Sequence, residues 1–172
     1  MDDRHIATTG TLSLAALLLF GSATLICVPI NLLEGLVPTP FLPLVVIFLY
    51  GLDRPSSLPP WMSFAAGLYL DLLLGMALGP WASVFLLMHA AVVWQRSYFA
   101  GRDSLVLLTG FGIALGGVLT VYWVEMSVLG GRVMPLWPLA YQGLITALVF
   151  APALLLFRRL IAKQPVTLGG LG

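Results

Sequence analysis

Charged residues are scarce in this sequence. They make up 9% of its 172 residues, whereas a typical soluble domain has about 25%. Hydrophobic residues make up 60%, and the mean hydropathy is +1.03. So few charges cannot cover a surface that faces water, and the composition therefore predicts an integral membrane protein built as one compact helical bundle. The net charge of +1 leaves no basic stripe that would bind nucleic acid.

Residues that carry chemistry are equally few. Cys27 is the only cysteine, which excludes an intramolecular disulfide and a multi-cysteine metal site. The only histidines are His5 and His89, so no cluster of metal ligands is predicted. Neither a G-x-S-x-G motif nor a glycine-rich nucleotide-binding loop occurs. We therefore predict a protein that is not an enzyme and that has no catalytic residue, metal or cofactor.

Long apolar segments, by contrast, fill the chain. A membrane-spanning helix needs about 20 mostly apolar residues. Six candidate spans cover residues 11–33, 36–52, 61–78, 80–95, 104–129 and 136–157. The predicted fold class is therefore all-α, a six-transmembrane-helix bundle that forms a single domain over residues 1–163. Residues 164–172 are polar and glycine-rich, so we expect a disordered tail there.

The positions of the basic residues orient these spans. Cytoplasmic loops of membrane proteins carry an excess of lysine and arginine, and tryptophan rings favour the headgroup level. With the N-terminus in the cytoplasm, Arg132 is the only one of the eight basic residues on the outer side, and Trp81 and Trp137 lie at outer ends of spans. We therefore predict that both termini are cytoplasmic. Four cytoplasmic arginines either serve topology alone or contact anionic lipid or a filament partner: Arg96, Arg102, Arg158 and Arg159.

One aspartate lies in the middle of the third span. The stretch GLYLDLLLGMALGP, residues 67–80, places it among glycines at steps of four, which advance only about 40° around a helix. Small residues at that spacing let a second helix approach closely. We therefore predict that one stripe of the third helix forms a seam with a neighbouring helix or a partner, and this stripe consists of Ser63, Gly67, Asp71, Gly75 and Gly79.

Two roles are open for Asp71. An ionised carboxylate at mid-membrane costs about 2.5–3.5 kcal/mol, so we expect it to face the bundle interior and to find a donor. It is either a polar pin, hydrogen-bonded to a neighbouring helix, or a substrate, ion or proton site. His89 is a second candidate pin near mid-membrane. A His89–Asp71 hydrogen bond can form if the third and fourth helices are antiparallel neighbours.

The fifth span has another face of small residues. Gly112, Gly116 and Thr120 follow one another at steps of four, which indicates either close packing inside the bundle or a docking groove for a helix of another protein. Glu125 lies about one turn before the end of this span, as an interfacial carboxylate or as a polar contact for a partner's periplasmic segment. We expect Asp71 and Glu125 at different depths, which argues against a membrane aspartyl protease.

The motif around Asp71 resembles the MreD family, the rod shape-determining proteins of bacterial inner membranes. The family pattern is a small residue, then Asp-Leu, a glycine four residues after the aspartate, and then Leu-Gly. A proline-rich start to the second span, an aromatic-rich fifth span (TVYWVEMSVLGG) and a sixth span that ends in LLLFRRLI are also similar to the family. The resemblance covers roughly residues 30–162, and the motif positions are Gly67, Asp71, Leu72, Gly75, Leu78 and Gly79.

The resemblance implies a non-catalytic scaffold of the cell-elongation machinery in the bacterial inner membrane. Members of the family partner with the single-span protein MreC. Together they couple MreB filaments to peptidoglycan synthesis by a RodA-type polymerase and a class B transpeptidase. The implied fold is similar to that of the substrate-binding components of energy-coupling factor transporters.

The alternative function is that of such a substrate-binding component in an energy-coupling vitamin transporter. Asp71, His89 or Glu125 would then contact a ligand in a pocket open to the outside. A ligand pocket needs several converging polar groups, and few polar residues lie near the outer ends of several spans together.

Overall fold

The structure of the chain is a computed structural model that describes residues 9–27, 39–99 and 101–161. Within these ranges it contains six α-helices and no strand, so the predicted all-α class is confirmed. The six membrane crossings and the cytoplasmic termini stay predictions. The end of the first predicted span (28–33), the start of the second (36–38) and the tail (164–172) lie outside the described residues. The helices are α1 (Thr9–Cys27), α2 (Leu42–Asp53), α3 (Pro60–Leu73), α4 (Pro80–Phe99), α5 (Ser104–Leu129) and α6 (Leu136–Ile161).

Among the described residues, two helices are long and apolar enough to cross a membrane, judged by length and composition alone. They are α5 over its whole length and α6 from Leu136 to Phe157. The bundle buries only 28% of the apolar stretch of α5 and 22% of that of α6. Neither is therefore an enclosed core helix, and both turn apolar surface outward. The apolar helices α1 and α2 are shorter.

The centre of the bundle is α2, which packs against α1, α4 and α6. A helix that is hydrophobic all round belongs in a buried position, and eight of the twelve residues of α2 are buried. Its Phe48 ring joins three other helices, with ring-centre distances of 5.2 Å to Phe111, 5.4 Å to Phe150 and 6.0 Å to Phe99. Around α2 the other helices follow in the order α1, α3, α4, α5 and α6, each packed on the next.

Two polar side chains of α6 hold the start of α2. The N–H of Phe41 donates to Oγ1 of Thr146 at 2.9 Å, and Nε2 of Gln142 donates to the carbonyl of Thr39 at 2.7 Å. The first N–H groups of a helix have no partner within that helix, and Thr146 supplies one from across the bundle. These bonds fix where α2 begins relative to α6.

The close contact of α3 with α4 depends on Gly67. A Cβ added there would lie 2.5 Å from the carbonyl oxygen of Trp81 and 2.6 Å from the backbone nitrogen of Ala82. No side chain fits into that space, so glycine is what allows the α3 backbone to meet the first turn of α4. Ser63, four residues earlier on the same face of α3, is fully buried. The first part of the predicted stripe therefore lies against α4.

The prediction that Gly75 and Gly79 continue this stripe is wrong. The helix α3 ends at Leu73 rather than at residue 78, and both glycines lie in the turn to α4, with φ of +61° and +126°. The N–H of Met76 donates to the carbonyl of Asp71 across the helix end, as in a Schellman motif. A glycine with positive φ ends a helix in this way, so the spacing of the glycines marks a helix end and a turn, not a longer seam.

Replacing Gly67 by alanine is expected to destabilise the bundle, because the new Cβ would overlap the backbone of α4. We expect a loss of about 1–3 kcal/mol in the free energy of unfolding, typical of overpacking, measured as a lower melting temperature in detergent. Gly21→Ala in α1 is the matched control, since a Cβ there meets nothing within 4 Å. An unchanged melting temperature for Gly67→Ala would contradict the close approach of α3 to α4.

Substitutions of Gly75 separate backbone strain from bulk. A Cβ at this position meets nothing within 4 Å, but its φ of +61° disfavours side chains branched at Cβ. We expect the melting temperature of Gly75→Asn to stay close to that of wild type, because asparagine adopts the left-handed conformation more readily. Gly75→Val should have a lower melting temperature, which corresponds to a loss of about 1–2 kcal/mol in the free energy of unfolding. Equal melting temperatures for the two variants would show that the turn does not need this conformation.

Candidate functional site

The start of α4 is bonded to the side chain of Asp71, which is fully buried near the end of α3. Its Oδ2 accepts a hydrogen bond from the N–H of Gly79 at 2.9 Å, and its Oδ1 accepts one from the N–H of Trp81 at 3.1 Å. Pro80, the residue between them, has no N–H. Asp71 therefore satisfies the first backbone donors of α4, as an N-cap residue does, although it belongs to another helix.

The electrostatics of this contact are favourable. The N-terminus of a helix carries about half a positive charge, which attracts a carboxylate. Each oxygen of Asp71 accepts a bond from a backbone N–H, so both oxygens of this buried side chain have donors without a basic side chain. The contact ties the end of α3 to the start of α4.

The predicted hydrogen bond between His89 and Asp71 is not formed. Instead, Nδ1 of His89 lies 3.1 Å from Oγ of Ser63, and both side chains are buried between α3 and α4. The reason is depth. Asp71 meets the first turn of α4, whereas His89 lies about two turns further along that helix, level with an earlier part of α3.

Glu125 of α5 also meets the first turn of α4. The Oγ of Ser83 lies 2.8 Å from both carboxylate oxygens of Glu125 and 2.8 Å from the carbonyl of Pro80. A hydroxyl group has one proton, so it donates to one of these acceptors at a time. The prediction that Asp71 and Glu125 lie at different depths is therefore wrong, because α3 ends early and places Asp71 at the same helix start. We name this end, where α3 and α5 end and α4 and α6 begin, the Asp71 end.

The sequence predicted Trp81 at the headgroup level of the membrane. In the structure its side chain instead lies inside the Asp71 end of the bundle. Its side chain is 3% exposed, and its ring centre lies 4.9 Å from that of Phe41 and 4.5 Å from that of Tyr122. Trp137, the other tryptophan predicted at this end, is 77% exposed. Aromatic packing therefore covers the start of α4 from the side of α2 and α5.

The small-residue face of α5 is open. A Cβ added at Gly112, Gly116 or Gly117 would meet nothing within 4 Å, so these glycines are not packed against another helix of the described chain. Gly112 and Gly116 line an apolar groove between α5 and α6 with a volume of about 400 Å³. Gly117 lies beside this groove, on the outward side of α5. The opposite wall of the groove includes Leu136, Ala140, Gly143, Leu144 and Ala147 of α6.

Basic residues gather at the opposite end of the bundle, where α2, α4 and α6 end. Nε of Arg96 donates to a backbone carbonyl at the end of α2 at 3.2 Å, and the guanidinium of Arg102 lies 5.2 Å from the ring centre of Tyr98. Arg159 is exposed in the last turn of α6, and the side chain of Arg158 lies outside the described part of the chain. Contacts of these arginines with lipid or a filament partner stay a prediction.

Polar contacts between residues that are distant in the sequence escape prediction. Ser83 and Glu125 are 42 residues apart, and Phe41 and Thr146 are 105 residues apart. Neither pair follows a periodicity of the sequence. The one available signal is that Ser83 lies near the start of a predicted span, where a polar side chain can bond to the backbone. Within the described ranges, no group of three or more His, Cys, Asp or Glu residues comes together to hold a metal ion.

Variants of Asp71 test its role as a cap. Asp71→Leu leaves the buried N–H of Trp81 and the partly buried N–H of Gly79 without an acceptor, at a cost of about 1–3 kcal/mol for the buried group, whereas Asp71→Asn keeps one side-chain oxygen. We expect melting temperatures in detergent to fall in the order wild type, Asn variant, Leu variant. Glu125→Gln, which keeps an acceptor for Ser83, is the control and should stay close to wild type. A Leu variant as stable as wild type would refute the capping role.

The chain has been compared with protein-family models, with curated proteins and with solved structures, and none of the three comparisons gives a match. The family resemblance of the Asp71 motif therefore stays a prediction. What the protein does has to be argued from its own residues.

Proposed function

We propose that this protein is a non-catalytic scaffold of the bacterial cell-elongation machinery, embedded in the inner membrane through six helices. In this role it binds a single-span shape protein of the MreC type. It helps to couple MreB filaments to the RodA-type polymerase and class B transpeptidase of peptidoglycan synthesis. The observation that carries the proposal, beside the resemblance to MreD, is that α5 and α6 leave much apolar surface exposed on the outside of the bundle.

The outward surface supports a membrane location and a partner within the membrane. Ile113 and Val128 of α5 are 78% and 75% exposed, and Leu148 of α6 is 67% exposed. A large apolar surface exposed to water marks an interaction site or leads to aggregation. In a bilayer the same side chains contact lipid tails or another membrane helix, and a helix satisfies most of its backbone polar groups internally.

The residues that carry the resemblance support a structural role. Gly67 lets α3 touch α4, Asp71 caps α4, and Gly75 and Gly79 form the turn between them. Each of these positions shapes the backbone. Both oxygens of Asp71 are engaged by backbone N–H groups. This arrangement favours a protein that acts by presenting helices rather than by chemistry.

The outward side of α5 around Gly117 is a face that a partner helix can approach closely. Helices in lipid associate through close packing at small residues, because lipid tails are as apolar as leucine. Gly117 is open, and Ile113, one turn earlier, is exposed. Gly112 and Gly116 border this face on the side of α6. Glu125 is half-buried at the Asp71 end, where its carboxylate accepts the hydroxyl of Ser83.

The vitamin-transporter alternative would use the polar residues of α3, α4 and α5. Asp71 and Glu125 do lie at the same end of the bundle. However, Asp71 accepts two backbone bonds, Glu125 accepts the hydroxyl of Ser83, and His89 is bonded to Ser63. The groups that a polar ligand would need are engaged within the bundle, and we therefore favour the scaffold.

Affinity purification from native membranes in mild detergent, followed by mass spectrometry, distinguishes the two functions. For a scaffold we expect a single-span periplasmic coiled-coil protein to co-purify together with wall-synthesis enzymes. Recovery of paired ATPase subunits with a coupling membrane protein would instead identify the transporter component and refute the scaffold.

Gly117→Leu should reduce recovery of the single-span partner by about tenfold, because overpacking a close helix contact costs about 1–3 kcal/mol. Gly21→Leu in α1 is the control, since a Cβ there is equally open and lies on a different helix. Partner recovery that is the same for both variants would place the partner on another face.

A further inference from the structure

We propose that the groove between α5 and α6 binds one acyl chain of an anionic phospholipid, with the phosphate of that lipid beside Arg132. This lipid site goes beyond the scaffold function and rests only on the placement of α5 and α6 in a membrane. The groove follows the two antiparallel helices. It runs from Trp123 and Leu136 at the Asp71 end to Gly112 and Ala147 near the middle of both helices.

The groove is elongated along the two helices, as a hydrocarbon chain is. Its α5 wall extends over residues 112–123, which is about 16 Å at the helical rise per residue. The groove is open on its outer side, so a flexible hydrocarbon chain can enter it from the surrounding lipid.

A flexible chain follows such a groove more completely than a partner helix does. With its side chains a helix is a rigid cylinder about 10–12 Å across, so it contacts a groove only through the side chains of one face. An empty apolar groove lacks partner atoms on one side and loses their dispersion attraction, which a flexible hydrocarbon chain restores.

The lining of the groove offers nothing to a polar ligand. The hydroxyl of Thr120 donates to the carbonyl of Gly116 at 2.8 Å, and the indole N–H of Trp123 donates to the carbonyl of Met134 at 2.8 Å. All other lining residues are glycine, alanine or leucine. Both polar side chains thus use their donors within the protein, so the body of the ligand has to be apolar.

The turn between α5 and α6, which lies between the lining residues Trp123 and Leu136 in the sequence, carries one positive charge. Arg132 belongs to this turn, is exposed, and is the only charged residue in the sequence from 126 to 157. The nearest acid along the chain, Glu125, is bonded to Ser83 of α4. A guanidinium at the end of an apolar groove is complementary to a phosphate that carries a hydrocarbon chain.

The turn itself is fastened to α5, which keeps this charge at the end of the groove. The N–H of Met134 donates to Oγ of Ser127 at 3.2 Å, beside the bond from Trp123 to the carbonyl of the same residue. Trp137, at the start of α6, is 77% exposed and adds an indole ring at the level where lipid headgroups lie.

The experiment compares the full chain, purified in detergent, with three variants. Retained phospholipid is counted by native mass spectrometry. Affinity is measured from the rise in melting temperature on addition of phosphatidylglycerol or of zwitterionic phosphatidylethanolamine. Gly116→Leu fills the groove, and Gly117→Leu makes the same chemical change on the next residue, outside it. Arg132→Gln removes the charge at its end.

We expect wild type and Gly117→Leu to retain one phosphatidylglycerol per chain and Gly116→Leu to retain none. Arg132→Gln should bind phosphatidylglycerol about fivefold more weakly, no better than phosphatidylethanolamine, as expected for the loss of one basic contact. If Gly116→Leu does not fold, Ala140→Leu fills the groove from its opposite wall.

Retention of lipid by both groove-filling variants, or equal loss of lipid by Gly117→Leu, would overturn the proposal. So would equal affinity of Arg132→Gln and wild type for phosphatidylglycerol. A Gly116→Leu variant that loses the single-span partner but keeps its lipid would show that the groove binds a partner helix and not a lipid. Failure of wild type to recover any partner would refute the scaffold function and leave the lipid result standing.

Discussion

The first N–H groups of α4 need acceptors in the interior of the bundle, and Asp71 of α3 provides them. This capping bond sets the register of the α3–α4 hairpin, because Gly67 then faces the backbone of α4 and Ser63 reaches His89. With α4 in this position, Ser83 points to Glu125 of α5. At the other end of α4, Phe99 packs on the central helix α2. The contacts of α4 with α3 and α5 thus follow from where α4 begins.

Long uninterrupted apolar runs could be predicted from the sequence, and helix ends within apolar runs could not. The predicted bounds of α5 agree with the structure, because its run is flanked by Asp103 and by the glycine pair 130–131. In α3, however, glycines at steps of four fit both a helix face and a helix end followed by a turn. Only the bonds across the turn, from Met76 to Asp71 and from Trp81 to Asp71, decide between them, and periodicity does not contain that information.

For the candidate site, residue types were predictable and their partners were not. The sequence identified Asp71 as a buried polar residue, but its depth depends on where α3 ends, and its acceptor role depends on the backbone of α4. The open glycines of α5 are a similar case. A run of small residues predicts that something can approach closely, yet whether the bundle itself fills the space depends on the placement of α6. Here the bundle fills it at Gly110, which contacts Phe99, and leaves it open at Gly116.

The sequence distances of these polar bonds have a consequence for the order of assembly. Asp71 finds its donors 8 and 10 residues further along the chain. The start of α2 is bonded to residues of α6 that follow 103 and 105 residues later. Short loops close fast and at a small cost in entropy. During synthesis the α3–α4 hairpin can therefore close while the ribosome is still making the rest of the protein. The central helix gains its last polar contacts only when α6 arrives, so the middle of this bundle is among the last parts to be fixed.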